Sequence, residues 1–294
     1  MKKSLPILTL LLILVPFSIF TTPNSQPAKL LGHKEMEFSL GIKQYSAINV
    51  NLGTPMNSAR FHSTWAFTTP VLVSAYISSA FNLRAGINEW VEYQFQGGIS
   101  NRYYFCLAAY VPFFVPDFKV YAETGVKIKL FEGTKLNGAL LTTAGINFAI
   151  EPLFNLYQIT PTSAPYSTNI TFEITPLFDI TPKKPNSNIM CYFGFPINLE
   201  YSLFEINYSG DLGLGDVRRS FPNATAGFLF GIEAAKRKII ARHEFFFQYT
   251  IRTYSEFNGN IAENIFADDW EIIGTEHLFS TGYCISLGGR TYRK

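Results

Sequence analysis

The stretch from Phe118 to Ile150 constrains this chain more than any other. From Phe118 to Leu130 the even positions read Phe, Val, Ala, Thr, Val, Ile, Leu, and the odd positions read Lys, Tyr, Glu, Gly, Lys, Lys. Every charge falls on one face, which is the period-2 mark of a strand with one apolar and one polar side. Glu132, Gly133 and Thr134 make a short turn. The alternation then resumes, with Leu136, Gly138, Leu140, Thr142, Ala144, Ile146, Phe148 and Ile150 on one face and Asn137, Thr143 and Asn147 on the other. The arms of this hairpin are about a dozen residues or longer. Strands in soluble sheets average about 5–6 residues, whereas a tilted membrane-crossing strand needs about 9–11. Length therefore points to a transmembrane barrel.

Composition agrees. Aromatic residues make up 16% of the chain, with 28 Phe and 16 Tyr, while charged residues make up only 16%, against roughly 25% in soluble proteins. After residue 20 no apolar run approaches the ~18 residues of a membrane helix. A lipid-facing chain without such helices must close into a barrel, because only helices and barrels satisfy every backbone group in hydrocarbon. The net charge of +2, with no basic stripe, gives no footing for nucleic acid.

Lys2 and Lys3 precede a mostly apolar stretch from Leu5 to Phe20, followed by polar and proline-containing residues through Pro27. This is the pattern of a secretory signal peptide. Residues 1–28 are assigned to it and 29–294 to an outer-membrane barrel domain. Ala28 supplies a small residue at the cut, although Gln26 is a poor residue two places before it.

The remaining segments supply further strands. Met36, Phe38, Leu40 and Ile42 alternate with Glu35, Glu37, Ser39 and Lys43, and the first strand runs on to Leu52. Strands are expected over 71–84, 90–97, 101–111, 118–130, 136–150, 169–180, 189–196, 198–208, 224–234, 238–252 and 278–288. The sum is an all-β, antiparallel up-and-down transmembrane β-barrel of about twelve strands. With the N-terminus periplasmic, the breaks at 53–70, 181–187, 209–222 and 253–275 fall outside. The gap from Glu151 to Ser167 falls on the short-turn side, where it fits poorly.

The run Phe81-Asn82-Leu83-Arg84-Ala85-Gly86-Ile87-Asn88-Glu89-Trp90-Val91-Glu92-Tyr93, and the later Gly125-Val126-Lys127-Ile128-Lys129, resemble strands of Gram-negative outer-membrane barrels grouped as transporters or phenol-degradation-pathway outer-membrane proteins. In that group an arginine-bearing strand enters a short polar turn and leaves through a Glu-bearing strand. The resemblance implies an outer-membrane location and transport. Such barrels commonly end in an aromatic residue, whereas this sequence ends Thr291-Tyr292-Arg293-Lys294.

The polar strand faces carry the candidate functional residues: Arg84, Glu92, Lys119, Glu123, Lys127, Lys129, Arg242, Glu244 and Arg252. All are expected to line the lumen, because Lys or Arg on the lipid face costs about 2–4 kcal/mol at mid-membrane. They would line a charged solute path, or fill a closed lumen as cross-strand pairs such as Arg84 with Glu92 and Arg242 with Glu244. Glu256, Glu263, Asp268, Asp269, Asp211 and Asp216 read as solvated acidic loops without EF-hand spacing. His243 lies in register with the apolar face. Outer-membrane phospholipases carry a His with a Ser two residues on, and Phe245 stands there instead, so no catalytic site is expected. Cys106, Cys191 and Cys284, an odd count with no paired spacing, suggest neither a metal site nor a disulfide framework. No cofactor is expected.

The leading expectation is a passive outer-membrane pore or transporter for small molecules, with lipid and a small solute as partners. The alternatives are a non-conducting surface structural or adhesion barrel, and an exported soluble barrel or sandwich with its apolar faces packed inside. Oligomeric state is not legible in the sequence.

Overall fold

The computed structural model describes residues 26–52, 71–105, 117–150, 153–155, 158–163, 166–180, 188–208, 215–220, 223–236, 238–257 and 270–292. These form strands β1 (Glu35–Leu52), β2 (Val71–Gly86), β3 (Val91–Phe105), β4 (Asp117–Glu132), β5 (Leu136–Ile150), β6 (Leu153–Asn155), β7 (Gln158–Ser163), β8 (Tyr166–Ile180), β9 (Ile189–Gly194), β10 (Ile197–Tyr208), β11 (Gly215–Ser220), β12 (Asn223–Ala235), β13 (Ile239–Phe257) and β14 (Trp270–Tyr292).

Twelve of them close a barrel in the order β1-β14-β13-β11-β10-β12-β9-β8-β5-β4-β3-β2. β9 and β10 are successive parts of one stave. Both pair with β8 on one side, and inward side chains stay on even numbers through Tyr192, Gly194, Pro196, Asn198 and Glu200. β11 and β12 likewise follow one another along a single stave beside β13. Ten antiparallel staves therefore surround the lumen. The seam is closed by β1 and β14, which pair without interruption from Glu35↔Tyr292 to Leu52↔Thr275.

Two expected strand pairs thus merge, and this moves the loops. β3 runs straight through Gly97 and Gly98, so 90–97 and the strand expected from 101 are one element. Pro196 breaks the strand without turning the chain. With the parity corrected, the connection between β5 and β8, which holds the small β6–β7 hairpin, lies at the same end as the breaks after β1, β3, β10 and β13. The 181–187 break moves to the other end, which carries both chain ends of the barrel and the short turns 87–90, 133–135 and 236–238.

The alternation sorts the residues as physics requires. Phe38, Leu40, Ile42, Ile99, Val120, Ile146, Phe148, Phe172, Phe245, Phe247, Phe279 and Leu287 stand exposed on the outer face. A continuous apolar exterior of this kind is stable only in hydrocarbon, since soluble monomers rarely expose apolar patches beyond a few hundred Å². The soluble-barrel alternative needs the opposite orientation, apolar faces inward, and the structure contradicts it. The inner face is mostly polar, with scattered apolar residues such as Ile240 and Leu278 and one apolar cluster among the described residues. There Ala139, Leu141, Leu177, Tyr192, Leu229 and Phe246 pack together with Ala28 of the N-terminal segment.

Candidate functional site

That segment is the feature the sequence did not announce. Before β1 enters the wall, residues 26–31 lie within the lumen at the terminal end as a strap that bends at Ala28 and Lys29, with Gln26, Pro27, Ala28 and Leu31 buried. Gln26, Pro27 and Ala28 belong to the stretch expected as signal peptide, so after a cut at Ala28 the strap begins at Lys29. Ala28 and Leu30 face the inner apolar patch. On the other side the wall satisfies the strap's polar groups. The Lys127 ammonium donates to Gln26 Oε1 at 3.2 Å, to the Pro27 carbonyl at 3.1 Å and to the Lys29 carbonyl at 3.4 Å. Glu92 accepts the Leu31 N–H at 2.8 Å, and Asp179 accepts the Lys29 N–H at 2.6 Å. Gln26 also donates to Gln94. The strap ends in a tight turn in which Lys34 takes φ 65° and its N–H meets the Gly86 carbonyl. Only glycine fits at position 86, because a Cβ there would come within 2.1 Å of the Gly32 carbonyl oxygen.

Sharing Glu92 and Lys127 with the strap is a layer of buried ion pairs. Arg84 holds Glu92 through two parallel bonds, Nε–Oε1 at 2.6 Å and Nη2–Oε2 at 2.9 Å, and reaches Glu37 at 3.1 Å. Such bidentate pairing is among the strongest and most directional of polar contacts. Arg242 binds Glu233 at 2.5 Å and also Glu37. Arg290 reaches Glu37 at 3.1 Å, and Lys127 reaches Glu92 at 3.1 Å. The layer links the contiguous staves of β12, β13, β14, β1, β2, β3 and β4, with Arg242 of β13 reaching past β14 to Glu37 of β1. Contacts of this kind form because the inward faces converge in a narrow barrel.

Of the nine candidate residues, Arg84, Glu92, Lys119, Glu123, Lys127, Arg242 and Glu244 are buried inside the barrel. Lys119 pairs with Glu200 at 3.4 Å, and Glu123 accepts from Gln96 at 2.7 Å. Lys129 does not join them. It lies at the terminal rim beside the strap, where it pairs with Glu132 at 2.9 Å and lies over the Trp90 ring. Arg252 is on β13, with its side chain outside the described set. The expected Arg242–Glu244 pair is absent. The two residues are neighbours on one inward face, and Arg242 turns instead to β12 and β1. Sequence reasoning passed over Lys43, Glu37, Glu173, Asp179, Glu200 and Glu233 as lumen residues, although the same alternation places each on an inward face.

Deeper in the lumen, polar atoms outnumber their partners. Both Glu244 carboxylate oxygens, both polar atoms of the Asn223 side chain, Gln248 Nε2 and Ser78 Oγ are buried with no hydrogen-bond partner. Outside, the His243 ring meets the Tyr283 hydroxyl, and Tyr249 meets His277 at 2.6 Å. Cys191 and Cys284 are free thiols, while Cys106 lies outside the described residues. Most of the acidic loop residues, Asp211, Glu263, Asp268 and Asp269, also lie outside them. Among the described residues no helix is long and apolar enough to cross a membrane.

No protein-family model matches the chain, and no curated protein matches it. Solved structures with a similar outline include the translocator domain of the autotransporter NalP from Neisseria meningitidis, at 9% identity and TM-score 0.44, covering 87% of this chain and 88% of that one. The outer membrane protease OmpT from Escherichia coli follows at 7% identity and TM-score 0.49, covering 93% and 99%. The outer membrane protein OprG from Pseudomonas aeruginosa stands at 9% identity and TM-score 0.33, covering 90% and 100%. Likenesses of this degree carry no argument about activity, and the barrel assignment rests on the strand pairing itself.

Proposed function

We propose that this chain is an outer-membrane barrel that passes small solutes passively, favours cations, and rests with its terminal end shut by the strap and the ion-pair layer. One observation carries the reading. Among the described residues five basic side chains are buried (Lys43, Arg84, Lys119, Lys127, Arg242), with Arg290 partly buried on Glu37, against eight acidic ones (Glu37, Glu92, Glu123, Glu173, Asp179, Glu200, Glu233, Glu244). A self-neutralised plug would need equal numbers, and polar atoms without partners lie beyond the ion-pair layer. A polar interior of that sign attracts cations and repels anions. The mechanism needs no energy source and no cofactor. The ion-pair layer itself favours a second reading, a surface barrel that never conducts.

Conductance in planar bilayers separates the two. Lys29→Pro with Leu31→Pro removes both strap N–H donors and leaves the wall intact. The wild-type protein is expected to open rarely. The double variant is expected to conduct steadily, with a reversal potential displaced toward that of the cation in a salt gradient. A folded double variant as silent as the wild type overturns the transport reading in favour of the non-conducting barrel. A conducting variant that prefers anions overturns the selectivity.

A further inference from the structure

We propose that Glu244 anchors a binding site in the lumen for an organic ammonium, a solute with a cationic amine head and a small apolar body. The inference rests on the reading of the lumen as a solute path and names the class of solute.

The starting observation is an unpartnered carboxyl group. Glu244 is 1% exposed on the inward face of β13, and neither of its carboxylate oxygens has a hydrogen-bond partner. Glu37, Glu92, Glu200 and Glu233, buried in the same lumen, are each held by a basic side chain. A buried carboxylate left alone is costly, so each such group calls for an explanation. Lys43, Glu173 and Arg242 are within electrostatic reach of it. Arg242 is already engaged by Glu233 and Glu37, and one carboxylate cancels the single ammonium of Lys43. Glu173 and Glu244 thus share one remaining cation, Lys43, and an incoming ammonium would supply the partner that is lacking.

The surroundings choose among cations. Glu244 is in register with Gly231 on one side and Cys284 on the other. The missing side chain at Gly231 is filled by the Tyr192 ring, whose Cζ would lie 2.1 Å from a Cβ there. Tyr192 thus reaches across β12 toward the stave that carries Glu244. The next inward residue along β13 is Phe246, which belongs to the inner apolar patch with Leu229. A carboxylate flanked by aromatic and aliphatic side chains suits an amine head against the acid and the ring faces, with its body on the patch. A metal ion suits it badly. Hard cations take six or more oxygen ligands, and among the described residues no group of three His, Cys, Asp or Glu is placed to hold one.

The test is isothermal titration of the full-length protein in detergent with benzylammonium chloride, benzyl alcohol and benzoate. Saturable binding of benzylammonium alone is expected. Glu244→Gln keeps the shape and removes the charge, and is expected to weaken binding about tenfold or more. Tyr192→Leu is expected to weaken it about threefold. Gel mobility before and after boiling confirms that each variant is folded. Equal binding of benzyl alcohol, unchanged affinity in Glu244→Gln, or no binding at all overturns the site. The two readings fail separately: a protein that binds benzylammonium but never conducts loses the passage and keeps the site, and one that conducts without binding does the reverse.

Discussion

Arg84 shows what a single residue does here. It is buried at 1% exposure and is held by Glu92 on β3 and Glu37 on β1. Replacing it with Met removes the bidentate partner of Glu92 and one of the three guanidinium partners of Glu37, leaving Glu92 to Lys127 and Glu37 to Arg242 and Arg290. Breaking a buried pair from one side typically costs about 3–5 kcal/mol, and the remaining partners place the loss at the lower end. Urea unfolding of Arg84→Met in lipid vesicles is expected to show a loss in that range, and Arg84→Met with Glu92→Gln should recover part of it. A loss below about 1 kcal/mol would contradict the layer. Much of this was open to the sequence. Period-2 alternation separates Arg84, Glu92, Lys119, Glu123, Lys127, Arg242 and Glu244 from the apolar residues between them. It could not tell that Lys129 sits at the rim rather than among the buried pairs, because alternation gives a face and not a depth. Nor could it pair Arg242 with Glu233 and Glu37 rather than Glu244. Alternation gives the face of each residue, while contacts between staves depend on their relative heights.

At the scale of elements, the same alternation found the β4–β5 hairpin and the β12–β13 hairpin nearly residue for residue. It miscounted where the chain carries a breaker without turning. Gly97 and Gly98 in β3 look like a turn, as does Pro196 between β9 and β10. Each instead sits within a continuous stave, because neighbours on both sides hold the extended path. The strap escaped notice for another reason. Residues 26–31 have no periodicity, and their conformation comes from the wall side chains that bond their backbone. This makes its closure by Gly86 testable. Gly86→Val drives a side chain into the Gly32 carbonyl and is expected to loosen the strap while the barrel still assembles. A thiol placed by Leu30→Cys, which packs against the inner patch, should react slowly with a water-soluble maleimide in the parent and many times faster with Gly86→Val, measured against the same chains without the added thiol. Equal rates would mean that the strap is not held in this way.

The whole molecule inverts the arrangement of a soluble protein. Its large apolar side chains stand outside on ten staves, and its charges lie within. Strand length, low charge and aromatic content make that inversion legible in the amino-acid sequence, because each answers the same demand, that lipid receive no unpaired polar group. Lumen content was not legible, since a polar inner face serves an open passage and a filled plug equally well. Both site proposals presuppose the closed membrane barrel, and one measurement tests it most directly: the mobility of the membrane-fraction protein in SDS gels, unboiled against boiled. The barrel predicts faster migration unboiled, a shift to the full-length position on boiling, and recovery only with detergent. A single unshifted band from protein that stays soluble without detergent would contradict it.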